Sequence, residues 1–298
     1  MSLADPAVIT CAISGALADR SQCPAIPYTP AEYAAEARRA VDEGAVHIHI
    51  HARRPDGAPS VAVEDFVAIR EAIVAEVGEA AIINFSTGTV GVSVADRVAY
   101  LEAGRPQVAA LNMGSLNYAK YSRSRKAFVF DFVFANPFDE IVELLEAMRR
   151  LGIKPEHECF DLGHVASLEP LLDMGLLQRP LHADFVMGVL GGVPATARNL
   201  AAMADNMPAP EGGGREHDHW GVIGIGRSQW TMLAAALSLG GSVRAGLEDN
   251  FYLPDGTMAR SNGELVARAR RMTEDAGRRP ATVEEASTLL GIDAPSRS

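Results

Sequence analysis

Short apolar runs alternate with stretches of helical spacing along nearly the whole chain. The run Val8 to Ala12 predicts a first strand, and the Gly-, Pro- and Ser-containing stretch from Ser14 to Tyr28 a loop. Thr29-Pro30-Ala31-Glu32 then combines three helix-start signals: a Thr N-cap, Pro at the first helical position, and Glu placed to close a capping box. That helix should run to about Glu43 and stop at Gly44. In Ala45 to Ala52 the period changes to two, with His47, His49 and His51 on one face of a strand and Val46, Ile48 and Ile50 on the other. The alternation continues with a helix over Val63–Val77, a strand over Ala81–Phe85, a helix from Ser93 to Glu102 closed by Gly104, and a strand from Val108 that ends at Asn112. Residues 116–134 read as an irregular aromatic excursion that carries function or an interface. Beyond it come a helix over Phe138–Leu151, a strand over Lys154–Asp161 and a helix from about Ser167 to Met174. A strand over Phe185–Val189 and a helix from about Thr196 to Met203 follow. After a Gly-rich loop from Pro208 to Asp218, the pattern gives a strand over Trp220–Ile223, a helix over Trp230–Leu239 and a strand over Ser242–Leu247. Helices over Asn262–Asp275 and Thr282–Leu290 finish the chain, with Thr282 and Glu285 placed as a second capping box.

Strands separated by single helices imply right-handed crossovers and a parallel sheet. Eight such units in 298 residues favour a closed (β/α)8 TIM barrel with an extra C-terminal helix over an open doubly wound sheet. We take residues 1–298 as one domain. The composition, 48% hydrophobic and 22% charged, suits a large core. A net charge of −11 argues against a nucleic-acid partner, and the short basic run Arg123-Ser124-Arg125-Lys126 reads as a solvated loop. Three cysteines without a CxxC pair suggest a reducing compartment. With neither a secretory leader nor a stretch able to span a bilayer, the reading is a cytoplasmic protein with no membrane partner.

In such a barrel the chemistry sits at the C-terminal strand ends. Those ends offer His49 and His51, Ser86-Thr87-Gly88-Thr89, Asn112, Asp161 to His164, Gly224 to Arg227, and Arg244 to Asn250. A histidine pair at i, i+2 is spaced to hold one metal ion; the bland alternative is solvated or hydrogen-bonded histidines. Glu248 is the best third ligand, because the last strand closes on the first, beside the histidine strand. A His₂Glu set with an open position is a catalytic zinc pattern, suited to polarising a carbonyl. Asp249 would point elsewhere and could act as a base, with Arg244 holding it or a substrate carboxylate. Taken alone, Glu248-Asp249-Asn250 would read as a turn or helix cap. The glycine-rich segments Gly188–Pro194 and Gly224–Arg227 match no nucleotide fingerprint, and serve either close approach to a substrate or thioester carrier or simple tight turns.

The ordered set of segments resembles the β-keto acid cleavage enzymes over nearly the whole chain. It comprises Thr10 to Ala16, Val41 to Ala45 leading to His49-Ile50-His51, Asn84 to Gly88, Leu111 to Ser115, Phe185 to Val189 with Gly191-Gly192, Gly224 to Arg227, Val243 to Asn250, and Ser261-Asn262. The resemblance implies a zinc-dependent TIM barrel, typically a homotetramer, that converts a β-keto acid and acetyl-CoA into acetoacetate and a new acyl-CoA. It implies metal ligation by His49, His51 and Glu248, a base at Asp249 that forms the substrate carbanion, and Arg244 as its partner. That carbanion would attack the acetyl thioester, with CoA transfer inside the adduct and a retro-Claisen release of acetoacetate. Ser86, the backbone around Gly88 and Thr89, and Asn112 match positions that hold the keto acid.

Departures from the family pattern bear on the substrate. Leu17 stands where members that cleave an amino-bearing keto acid carry a Glu, Ala110 replaces a hydroxyl residue and Thr89 replaces a glycine. His47 adds an imidazole below the metal pair, and Arg54 replaces an acidic residue. An apolar Leu17 cannot pair with an ammonium, so the expected substrate has an uncharged or apolar tail. Two other readings compete. One is an amidohydrolase-like metal hydrolase, to which His157, His164 and His182 could contribute, although the pair lies on strand two and no Lys ends strand four. The other is a metal-stabilised scaffold, which chelation would melt.

Overall fold

Thr29 opens the first long helix as its spacing predicts: its side chain accepts from the Glu32 N–H, and the Glu32 carboxylate accepts from the Thr29 N–H. Thr282 and Glu285 repeat the arrangement at the last helix. The computed structural model describes residues 2–209 and 218–292, so most of the expected Gly-rich loop between Pro208 and Asp218 lies outside the described residues. The strands are β1 (Ile9–Ala12), β2 (His47–Ile50), β3 (Ile82–Ser86), β4 (Val108–Asn112), β5 (Leu116–Ser122), β6 (Ala127–Phe134), β7 (Lys154–Cys159), β8 (His182–Met187), β9 (His219–Gly224) and β10 (Ser242–Ala245). The helices are α1 (Pro30–Asp42), α2 (Val63–Val77), α3 (Val94–Gly104), α4 (Phe138–Leu151), α5 (Leu162–Ala166), α6 (Leu168–Asp173), α7 (Ala197–Asp205), α8 (Gln229–Leu239), α9 (Asn262–Asp275) and α10 (Val283–Leu290).

Eight parallel strands close in the order β1-β10-β9-β8-β7-β4-β3-β2, which is the expected (β/α)8 barrel. β10 pairs with β1 (Thr10 opposite Arg244) and β1 with β2 (Thr10 opposite His47), so the last strand is one strand away from the histidines. Ile48 and Ile50 pack into the main apolar core, as do Ile83 and Phe85 of β3 and Ala183 and Phe185 of β8. The alternate positions turn to the barrel axis. The extra helix α10 supplies Ala286 and Leu290 to a separate apolar cluster with Val8, Val46, Ile82 and Val108, at the residues where the strands begin. No described helix is long and apolar enough to cross a membrane, and Cys11, Cys23 and Cys159 are buried and free.

Two expectations need correction and a third is incomplete. Residues 116–134 are not irregular: β5 and β6 form an antiparallel hairpin whose exposed turn is the basic run Arg123 to Lys126. Its aromatic residues stack on one another, as in the pair Tyr118 and Phe132, and this cross-strand packing supplies what strand alternation alone did not signal. The helix expected from about Ser167 to Met174 is α6, but an unexpected short helix, α5, precedes it, capped by the Asp161 side chain, which accepts the His164 N–H. Gly104 does not terminate α3 in the left-handed region; Arg105 does, with φ 45°. Gly104 is needed instead for space, since a Cβ there would lie 2.4 Å from the Phe85 ring.

Candidate active site

At the C-terminal ends of β2 and β10 the expected residues converge. His49 Nε2 and His51 Nε2 lie 3.6 and 3.5 Å from the same Glu248 oxygen, Oε1. Metal–donor bonds of about 2.1 Å put neighbouring donors of a tetrahedron about 3.4 Å apart, so the separations fit a single divalent ion. His49 Nε2 and Glu248 Oε2 are buried and have no hydrogen-bond partner, a cost that a bound cation would remove. The residues present therefore fit a metal.

The backbone that carries Glu248 is fixed from several sides. Asn262, at the start of α9, accepts the Leu247 N–H at 2.9 Å and donates to the Ile13 carbonyl at 3.1 Å; its own amide groups are held by the buried Glu36 carboxylate. Gly246 has φ 153°, and a Cβ there would lie 2.1 Å from the Ala12 carbonyl oxygen, so no other residue fits. On the other side, Ser14 and Tyr33 place their hydroxyl groups 3.0 and 2.7 Å from the His51 carbonyl. The buried Arg53 donates to the Gly15 and Gly57 carbonyls and ties the β1–α1 loop to the loop after β2.

Arg244 fans over three carboxylates. It donates to Asp249 through Nε (3.0 Å) and Nη2 (2.9 Å), to Glu248 Oε1 through Nη2 (2.6 Å), and to Glu158 Oε1 through Nη1 (3.1 Å). Burial works to raise the Glu248 carboxyl, but Arg244, His49 and His51 outweigh it and hold the group well below the usual range. Asp249 is pushed up to about 6 by burial and the Glu248 charge, with Arg244 pulling the other way. Burial pushes Glu158 up to about 8. His49 is held well below its ordinary value by desolvation, which leaves its ring neutral and free to ligate.

Ser86, Gly88 and Asn112 also come together: a Cβ on Gly88 would lie 3.0 Å from Asn112 Nδ2 and 3.4 Å from Ser86 Oγ. Thr89 keeps a buried, unpartnered Oγ1. Ala110 is buried in the β4 wall opposite Ser86, whereas Leu17 is 66% exposed on the β1–α1 loop. His157 and His164 are taken up elsewhere, one beside the His182 carbonyl and the other accepting the Phe160 N–H, and His182 lies deeper in the barrel. Two residues escaped the sequence reading. Glu158 reaches Arg244 from β7, and its only signal was the period-two pair Glu156 and Glu158. Tyr118 of the hairpin has its hydroxyl raised to about 12 by burial and by the charges of Glu248, Asp249 and Glu158.

The family model for beta-keto acid cleavage enzymes matches residues 6–292. A 3-keto-5-aminohexanoate cleavage enzyme from Fusobacterium nucleatum is 36% identical over 285 residues, covering 96% of this chain and 97% of that protein. A 3,5-dioxohexanoate:acetyl-CoA acetone transferase from Paraburkholderia graminis is 34% identical over 300 residues, covering 96% and 95%. Among solved structures, apo ObcA superposes with a TM-score of 0.73 at 20% identity, over 91% of this chain and 66% of that one, a likeness of fold. On a match that runs from the first strand to the last helix, the chain belongs to the beta-keto acid cleavage enzyme family.

Proposed function

We propose that this enzyme condenses a β-keto acid with acetyl-CoA to give acetoacetate and a new acyl-CoA, using a divalent ion, zinc by the donor set, held by His49, His51 and Glu248. The observation that carries the reading is the convergence of those three donors beside a carboxylate, Asp249, that a buried arginine grips on both oxygens. The acetyl-CoA requirement is supported by the name of the P. graminis relative. When bound, the ion supplies a Lewis acid that polarises the keto group and offsets the charge of a carbanion.

The chain's own residues supply the rest. Asp249 accepts the proton from the carbon between the keto and carboxylate groups, and its position near 6 leaves it largely ionised at neutral pH. Arg244 fixes both Asp249 oxygens, so the proton is taken from one direction. Ser86 Oγ, the Gly88 N–H region and Asn112 Nδ2 form a polar pocket for the keto acid's carboxylate, with Thr89 Oγ1 a further donor. The carbanion attacks the acetyl thioester carbonyl and expels the CoA thiolate, the thiolate adds to the former keto carbon, and cleavage of the old C–C bond gives the acyl-CoA and a carbanion that takes back the proton held by Asp249 to become acetoacetate. Leu17 and Ala110 would line the tail side and favour an uncharged tail. Four copies are expected to associate in the cytoplasm, a reading supported by Phe128, Val129 and Val133, exposed on the hairpin.

The test is a panel of β-keto acids assayed with and without acetyl-CoA, alongside metal analysis. Acetoacetate formation that requires acetyl-CoA is expected. Hydrolysis that proceeds equally well without it would overturn the reading in favour of a metal hydrolase.

A further inference from the structure

Beneath His49 the barrel interior holds a second set of metal-ligating side chains that the reaction does not use. His47 comes from β2, Glu156 from β7, and His182 and Asp184 from β8; their exposures are 0, 0, 1 and 4%. His182 Nε2 lies 3.2 Å from Asp184 Oδ2 and 3.9 Å from Glu156 Oε1. One donor atom each from His47, Glu156 and His182 lie within 4.8 Å of one another. These spacings are close to those among His49, His51 and Glu248.

The outward atoms of the set are already occupied. His47 Nδ1 is 3.0 Å from Thr10 Oγ1, and Glu156 Oε2 accepts from Asn84 Nδ2. What remains, His47 Nε2 and Glu156 Oε1, is buried with no partner. Among the described residues no Lys or Arg forms an ion pair with Glu156 or Asp184. Two acids buried together share a proton unless a cation takes its place, and burial with the neighbouring Asp184 raises the Glu156 carboxyl well above its ordinary value. Gly221 leaves room for the Asp184 carboxylate: a Cβ there would lie 2.1 Å from Asp184 Oδ1.

We propose that His47, Glu156 and His182, with Asp184 beside them, hold a second divalent ion of the zinc class, structural in role, on the barrel axis below the catalytic one. Two imidazoles and the Glu156 carboxylate supply three ligands of suitable hardness, and Asp184, 3.2 Å from His182 Nε2, adds a second negative charge next to the ion. Glu156 links the two sites, since its Oε2 is 3.9 Å from His49 Nδ1, the ring nitrogen facing away from Glu248.

The test is zinc stoichiometry. Full-length protein is loaded with excess Zn²⁺, freed of loose ions by gel filtration and measured by mass spectrometry for metal per chain, and crystals are examined for anomalous scattering at the zinc edge. Two equivalents are expected, with one peak between His47 and His182. His47→Val and Glu156→Gln should each lose one equivalent and keep the other, and His51→Ala should lose the upper one. A single equivalent that vanishes in His51→Ala, no bound zinc, or no anomalous peak between His47 and His182 would each overturn the proposal. A single equivalent that survives in His51→Ala would support it while removing the upper site. The wild-type count and the peak decide the matter even if a variant fails to fold.

Discussion

Arg244 holds Asp249 by both carboxylate oxygens, Nε to Oδ2 at 3.0 Å and Nη2 to Oδ1 at 2.9 Å. A lysine carries the same charge but cannot reproduce a planar two-point grip. Arg244→Lys should therefore lower kcat by roughly 100-fold through misplacement of the base, a size seen when a reacting group moves by about 1 Å. KM for the keto acid should change much less. An unaltered kcat would show that the fork does not position the base.

Removing the base itself has a different signature. Asp249→Asn keeps the shape of the side chain and leaves His49, His51 and Glu248 in place, so bound metal should stay at the wild-type level. Turnover should fall by about 10²–10⁴-fold, the usual range for a general base. His51→Ala should instead lose both turnover and metal. Normal turnover in Asp249→Asn would assign the proton abstraction to another group.

On the proposed reading, Leu17 faces the tail of the substrate. Because Leu17 is 66% exposed, an ionic partner introduced there would remain partly solvated. Leu17→Glu should raise kcat/KM for 3-keto-5-aminohexanoate about fivefold, in keeping with roughly 1 kcal/mol for a solvated ion pair. Wild-type protein should prefer a neutral keto acid. Equal wild-type rates on the amino and neutral substrates would remove Leu17 from the specificity site.

Asn262 ties three segments together, and Asn262→Ala would leave the buried Leu247 N–H without its acceptor and the Ile13 carbonyl without this donor, while Glu36 Oε2 keeps the residue 262 main-chain N–H. A loss of roughly 1–3 kcal/mol in stability is expected from unsatisfied buried groups of this kind. Denaturant unfolding measures it, and metal affinity should fall as well, since Glu248 follows directly. Unchanged stability and affinity would mean that the loop holds its shape alone.

Lys154 gives a pH-dependent test. Desolvation lowers its ammonium to about 8, with Asp218 opposing the shift. Below that pH both folded and unfolded chains carry the proton, and folding bears the full desolvation cost. Between about 8 and the unfolded value near 10.4 the unfolded chain binds more protons, so stability attributable to Lys154 rises with pH. The melting-temperature advantage of Lys154→Met over wild type should accordingly shrink from pH 8 to pH 10.5. A gap independent of pH would contradict it.

Local chemistry made the barrel legible. Capping boxes at Thr29 and Thr282 act within four residues, and a strand's period of two shows in Ala45 to Ala52 without any knowledge of neighbours. Glu248 could be paired with the histidines because closure of the barrel is a topological rule. The hairpin was missed because its pairing, Leu116 opposite Phe134, depends on side chains across two strands. Glu158 and the deeper acids were missed for a related reason. His182 and Asp184 alternate on β8 as Glu156 and Glu158 do on β7, and only the pairing of β7 with β8 sets the two strands' polar residues side by side.

The contact between Gly246 and the Ala12 carbonyl, together with Gly15 against Glu248, locks the first and last loops into one rigid collar. Variation in that collar's main chain would shift a ligand and the base together, so innovation there is closed off. Variation that spares the collar's main chain is left to side-chain tips such as Leu17, 66% exposed, where a library could be randomised without moving Glu248.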